Sequence, residues 1–263
     1  WIFCRPQRKS PEMKLGLLPF LNTQPLEYGF RTDPGRFGAT AVIDVPSRLA
    51  GALLEGKIDT ALISSVEVLR HPELTFCKTM GVCADSAVRS ILYIRSAEDP
   101  ADSVPDRIWM DEGSRTSQAL LLLLLKKVYG ASPERSSVPA SEVPSHIGPG
   151  QAGMLIGDAA LSFWDRSDLD RFRIRDLGQW WNELEGLPFV FAVWAYPKSN
   201  PVPDETFEWS LSMGLSHMEE IIQKAGRSDA REYLTKNLHY RMTERDLKAL
   251  TVYRGLLAEA GLL

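Results

Sequence analysis

"LLPFLNTQPLEYGF", residues 17–30, decides how this chain folds. An apolar run from Leu15 to Leu21, broken by Gly16 and Pro19, stops at Asn22-Thr23-Gln24-Pro25. A second apolar pattern then starts with Leu26, Tyr28 and Phe30. The first part reads as a strand, Lys14 to Leu18, and the second as a short helix, Pro25 to Phe30. Polar residues sit where one hands over to the other.

The pattern recurs. Ala39 to Asp44 reads as a strand, and Pro46-Ser47 open a helix with Leu49, Ala50, Leu53 and Leu54 on its apolar face. "IDTALIS" (58–64) is a buried strand before a short helix from Ser65 to Leu69. Thr75 to Ala84, Ala87 to Arg95 and "RIWMDE" (107–112) are further strands. "GSRTSQALLLLLLKKVYG" (113–130) is a helix apolar nearly all round, hence buried. Residues 131–150 hold four prolines and predict irregular chain with one short strand. "AGMLIGD" (152–158) is a strand and a turn, "RFRIRDLG" (171–178) a strand, "QWWNELEG" (179–186) a helix, and "LPFVFAVWAYP" (187–197) a long buried strand. From Asp204 onward the pattern is helical in three pieces, broken at 226–228 and 237–243.

Strands alternating with helices predict an α/β fold with mostly parallel sheets covered on both faces. "LLEGKIDTALISS" and "GPGQAGMLIGD" echo each other, as two similar lobes would. Two lobes need two crossings, and Val88 to Ala97 and Phe189 to Tyr196 are the candidates. Residues 13–95 with 193–263 then form the first lobe and 96–192 the second, with a cleft and hinge between them.

Bulk properties narrow the function. The 263 residues are 44% hydrophobic and 24% charged, with a net charge of −4. No basic stripe suits a nucleic-acid groove, and no apolar run approaches the ~20 residues that span a bilayer. Residues 1–12 lack the apolar core of a secretory signal and are expected to be a disordered extension, with Met13 a candidate start. Cys4, Cys77 and Cys83 match no metal spacing and read as free thiols in a reducing, cytoplasmic setting. The four histidines are scattered, so no metal is expected.

In open α/β sheets, ligands bind beyond the carboxyl ends of strands, where helix starts offer unpaired N–H groups that attract anions. Asn22 and Thr23 lie at such a junction and can cap the helix or face a ligand. Ser64-Ser65 follow "IDTALI", Ser114, Arg115, Thr116 and Ser117 follow "RIWMDEG", and Gly157-Asp158 follow "AGMLI". Together they predict a cleft of neutral donors suited to a small molecule carrying carboxylates. No "GxGxxG" opens a helix; "GPGQAG" (148–153) precedes a strand instead. Walker and "GxSxG" patterns are absent. A cofactor-free site of Asn, Ser and Thr remains, able to bind a solute or to catalyse by position and electrostatics.

"PFLNTQPL" (19–26), "GKIDTALISSVEVLR" (56–70), "MLIGDAAL" (154–161) and "DLGQWWNELEGLPFVFAVW" (176–194) resemble the chorismate dehydratases of the futalosine route to menaquinone. The resemblance implies a cytoplasmic enzyme of two-lobed periplasmic-binding-protein-like fold. It implies that chorismate is the substrate, and that Asn22 and Ser90 act on it. Phe20 stands where the family often has Tyr, and Ser86-Ala87 where it often has Gly-Pro. The sister dihydroxynaphthoate synthase and a binding protein for an aromatic or dicarboxylate ligand are the alternatives. Trp180, Trp181 and Trp194 are ring platforms or core. The oligomeric state is open.

Overall fold

The computed structural model of the chain describes residues 13–110 and 115–263. Residues 1–12, with Cys4 and the expected extension, lie outside the described residues. The chain runs β1 (Met13–Leu17), α1 (Gln24–Thr32), β2 (Ala39–Ile43), α2 (Pro46–Leu54), β3 (Thr60–Ser64), α3 (Ser65–Arg70) and β4 (Leu74–Ala84). Then come β5 (Ile91–Ser96), β6 (Arg107–Met110), α4 (Arg115–Tyr129), β7 (Glu134–Ser137), β8 (Gln151–Ile156), α5 (Gly157–Phe163), β9 (Phe172–Asp176) and α6 (Leu177–Glu185). The last stretch holds β10 (Phe189–Pro197), α7 (Asp204–Ser216), α8 (Met218–Ala225), the short α9 (Ala230–Glu232), a π-helical turn (Tyr233–Asn237), β11 (His239–Arg241) and α10 (Glu244–Glu259).

The strands form two sheets, in the orders β11-β4-β10-β3-β1-β2 and β7-β6-β8-β5-β9. Both are mixed, where the sequence pattern predicts mostly parallel ones. In the first, β1 pairs parallel with β2 and β3, while β10 runs antiparallel between β3 and β4. In the second, β6 pairs parallel with β7 and β8, and β5 antiparallel with β8 and β9. Strand reversal at β5 and β10 follows from a chain that leaves one sheet for the other and returns.

Sheet membership moves both crossings. β5 lies wholly in the second sheet and β10 wholly in the first. The passages are thus the short segments 85–90 and 186–188, rather than the long strands themselves. The tail also differs. Residues 239–241, expected to be a break, add β11 to the edge of the first sheet. Gly157, expected to be in a turn, opens α5 instead.

Burial explains the elements. All five residues of β3 are buried, as in a strand covered on both faces. In α4, Leu120, Leu121, Leu123, Leu124 and Leu125 are buried, and Lys126 and Lys127 complement the helix end. Trp180, Trp181 and Trp194 are at most 1% exposed and belong to a core that continues across both sheets. Trp194 stacks on Phe207 with ring centroids 5.0 Å apart. Cys77 and Cys83 share β4 and are buried free thiols. Among the described residues no helix is long and apolar enough to cross a membrane.

A polar cluster fastens the tail to β4. His239 Nε2 lies 2.9 Å from Asp246 Oδ1, and Asp246 Oδ2 accepts from the Thr243 N–H and hydroxyl in a capping box that starts α10. Cys83 Sγ is in the same cluster, all of whose donor atoms lie within 4.8 Å. Burial pulls the His239 pKa down, but the bond and charge of Asp246, with Asp85 adding, outweigh it and raise it. Burial pushes Asp246 up, but bonds from His239 and Thr243 outweigh that and lower it. The contribution of His239 to stability is complete below its unfolded pKa and is lost as pH rises through the raised value. That of Asp246 is lost only as strong acid is approached. Denaturant midpoints of the wild type should therefore fall as pH rises above about 6.5. In His239→Gln that fall should be smaller; an identical slope would show that this histidine does not carry it.

Candidate active site

One cavity gathers the carboxyl ends of β1, β3 and β8 and the start of β5. Asn22 and Thr23 reach it from the turn after β1, Ser64 from the end of β3, and Ser90 from just before β5. Ser117 of α4 and Gly157 at the head of α5 complete its polar wall. Leu18, Phe20, Ile91, Ile156 and Phe191 supply the apolar wall. Among the described residues that line it, none carries a side chain that is charged at neutral pH. Its inner space is about 60 Å³, room for a few waters, and it opens to solvent.

Asn22 is not a helix cap. The residue at the N-cap of α1 is Thr23, which makes no side-chain capping bond. The Thr23 hydroxyl instead donates to the Phe20 carbonyl at 3.0 Å. The Asn22 side-chain oxygen is buried without a partner.

Ser90 is held by a tense piece of backbone. Arg89 has φ +63°, the left-handed region that L residues avoid, and among the described residues no other non-glycine shares it. Asp176 clamps this bend: its carboxylate accepts the N–H of Val88 (3.1 Å) and Arg89 (2.5 Å) while capping α6 through the Gln179 N–H. Burial raises the Asp176 pKa against the pull of those N–H bonds. Trp164 Nε1 donates to the Arg89 carbonyl at 3.1 Å, and the Arg89 guanidinium lies 5.6 Å above its ring. The Ser90 carbonyl accepts the Gly157 N–H at 2.8 Å. Gly157 has φ +56°, so a side chain there would strain the same junction. Asp176→Ala should cost about 2–4 kcal/mol, from a lost cap and two unpaired N–H groups. Thermal unfolding and turnover should both fall. A normal melting temperature would mean that the bend holds without its clamp.

Four of the candidates from sequence lie off this cavity. The Ser65 hydroxyl donates to the Val190 carbonyl at 2.7 Å, deep in the first sheet. Thr116 Oγ1 accepts the Val66 N–H at 3.2 Å and ties α4 to α3. Arg115, on the surface, pairs with buried Glu67 at 3.0 Å. Asp158 lines a neighbouring cleft of about 640 Å³, together with Arg31, Lys224 and Arg227. Ser114 lies outside the described residues.

A further group was invisible to sequence reasoning. Tyr233 is 1% exposed and lies near the side chains of Asn22 and Ser90. Burial pushes its phenol well above the ordinary range, with Ser90 and Asn22 pulling the other way. No motif marks it, because it arrives from a π-helical turn more than 140 residues away along the chain.

Solved structures with this fold include a structural-genomics protein from Archaeoglobus fulgidus, with TM-score 0.74, 16% identity, and coverage of 95% of this chain and 98% of that one. The alkanesulfonate-binding protein of Xanthomonas axonopodis pv. citri, solved with MOPS, aligns with TM-score 0.67, 17% identity, and coverage of 97% and 95%. The fold is thus of the periplasmic-binding-protein type. In sequence, the chain is 28% identical over 234 residues to a chorismate dehydratase of Thermus thermophilus, covering 81% of each. It is 24% identical over 248 residues to one of Campylobacter jejuni, covering 90% of this chain and 94% of that one. The family model described as menaquinone biosynthesis matches residues 13–259. The match takes in both sheets and every wall of the cavity, and the chain belongs to the menaquinone biosynthesis family.

Proposed function

We propose that this protein is a chorismate dehydratase, a hydro-lyase that converts chorismate to 3-[(1-carboxyvinyl)oxy]benzoate and water. One observation carries the reading: Asn22, from the turn after β1 of the first sheet, and Ser90, just before β5 of the second, line a single cavity. They do so in a chain whose curated relatives bear that name.

The chemistry suits a wall of neutral donors. Chorismate loses the ring proton beside its ether and the hydroxyl on the adjacent carbon. The C–H electron pair becomes the new ring double bond, and the hydroxyl leaves as water. The ring becomes aromatic, so the driving force resides in the substrate. The departing proton is vinylogous to the ring carboxylate, and negative charge spreads onto it. N–H and hydroxyl groups placed there stabilise the charge as it develops. The resemblance to the family implies the substrate's own enolpyruvyl carboxylate as the base, and we assign it that role here. The protein then has to fold the substrate and exclude water.

Two lobes, each built on one sheet and meeting at this cavity, would provide the closure. Thr23, Ser64, Ser117 and Gly157 are the contacts we assign to the substrate beside Asn22 and Ser90. A cytoplasmic setting accords with the buried free thiols of β4. Purified protein mixed with chorismate should lose the diene absorbance and yield the benzoate product. Folded protein that binds chorismate tightly without product would be a binding protein instead. Turnover of a cyclised futalosine derivative would identify the sister synthase.

A further inference from the structure

The wall that carries Asn22 has open space on both sides. Leu18, Phe20, Asn22 and Thr23 line the cavity, while Pro19, Leu21 and Gln24 of the same segment line the neighbouring cleft of about 640 Å³. Core packing alone therefore does not hold this segment. The sheet does not hold it either, because the pairing of β1 with β2 ends at Leu17 and Pro19 has no N–H to offer. Leu18 is 2% exposed, so its N–H and carbonyl need partners inside the protein.

Two residues one turn apart on α1 supply them. Glu27 Oε1 accepts the Leu18 N–H at 2.7 Å, and Arg31 Nη2 donates to the Leu18 carbonyl at 2.6 Å, with the Thr23 hydroxyl more distant at 3.5 Å. Arg31 Nε and Nη2 also donate to Glu27 Oε2, at 3.0 and 2.7 Å, which locks the two side chains together. The Glu27 side chain is fully buried, where an ion pair stabilises no better than apolar side chains of similar volume. What this pair supplies is fixed geometry.

Resting on the dehydratase reading, we propose that Glu27 and Arg31 are positioning residues: together they hold Leu18 by both backbone polar groups and so set where the wall presents Asn22 to the substrate. Neither lines the cavity. Arg31 is reached instead from the cleft behind the wall, with 24% of its side chain exposed.

That opening makes the test direct, because Arg31→Ala leaves a hole that free guanidinium can enter from solvent. Burial holds the Glu27 carboxyl up at about 7 against the pull of Arg31, so assays belong at about pH 8, where it is mostly ionised. With chorismate, kcat of Arg31→Ala should fall about 10–100-fold, as a small misplacement of a reacting group does, with KM changing far less. Guanidinium, kept well below denaturing concentrations, should restore kcat saturably in Arg31→Ala and not in Asn22→Ala. A variant that was merely destabilised would lose more activity in guanidinium. Wild-type kcat in Arg31→Ala, or a loss that guanidinium does not recover, would overturn the proposal. Should Arg31→Ala not fold, Arg31→Lys keeps the charge without the planar fork that serves Glu27 and Leu18 at once, and the same fall in kcat is expected there. Wild-type kcat in that variant would overturn it equally. A second readout needs no turnover. The backbone amide signals of Leu18 and Asn22 in a ¹⁵N spectrum should shift in either variant, and move back with guanidinium in Arg31→Ala. Unmoved signals would sink the proposal as well. Wild-type protein inactive on chorismate would instead remove the dehydratase reading, leaving these signals to decide on Glu27 and Arg31.

Discussion

Asn22→Ala is expected to lower the turnover of chorismate by about 10²–10³-fold, the loss that follows removal of one preorganised polar group from such a site. The melting temperature should stay within about 2 °C of wild type. The two halves of this expectation have separate causes. Turnover falls because Asn22, with Thr23 and Ser64, is a polar group brought from the first-sheet side to the cavity that Ser90 also lines. Stability holds because the residue caps nothing, and its side-chain oxygen is already unpaired. A large melting drop with normal turnover would make Asn22 a structural residue. The opening motif would then be a turn and no more.

Gly214→Ala should be the most damaging glycine-to-alanine change among the described residues. α1 and α7 pack against each other, and a Cβ at Gly214 would stand 1.9 Å from the Pro25 carbonyl oxygen and 2.6 Å from its carbon. Both are backbone atoms, so no side-chain rotation relieves the clash. The helices must separate, at a cost of about 3 kcal/mol or more. For a chain of this length that is a fall in melting temperature of about 6–12 °C. Pro25 follows Asn22 by three residues, so turnover should fall even at temperatures where the variant is folded. Gly255→Ala is the control. Gly255 is in α10 with nothing within 4 Å of an added Cβ, and alanine there should stabilise by about 0.5–1 kcal/mol. Equal effects at the two positions would show that helix propensity, not the contact with Pro25, governs Gly214.

The sequence made the strands and helices legible because burial and periodicity agree locally. β3 is apolar on both faces, and the α4 leucines leave no polar side. It also exposed the junctions, since a polar turn after a buried strand is a local pattern. What it hid was non-local. Ser65 and Thr116 sit at helix starts like Ser64 and Ser117, yet Val190 and Val66 take up their hydroxyls. Whether a serine faces a cavity or a neighbouring strand depends on the partner that packs there. The crossing at 85–90 was masked by the apolar residues that flank Arg89, whose backbone turn no composition rule foresees. β11 was hidden because a three-residue edge strand has no period to detect. Tyr233 was hidden because its neighbours Asn22 and Ser90 come from far earlier in the chain.

The place of β10 has a consequence for how the protein is made. Its neighbours β3 and β4 were both synthesised over a hundred residues earlier, and nothing bridges them until β10 arrives. A nascent chain at the ribosome therefore carries two open ladders of unpaired amides, with the hydrophobic faces that β10 will cover, for the whole time the second sheet is being translated. Late closure of this kind is slow and exposed to aggregation. Cells that express the protein faster than translation and chaperones can fill that gap should accumulate it in inclusion bodies, whatever the stability of the finished molecule.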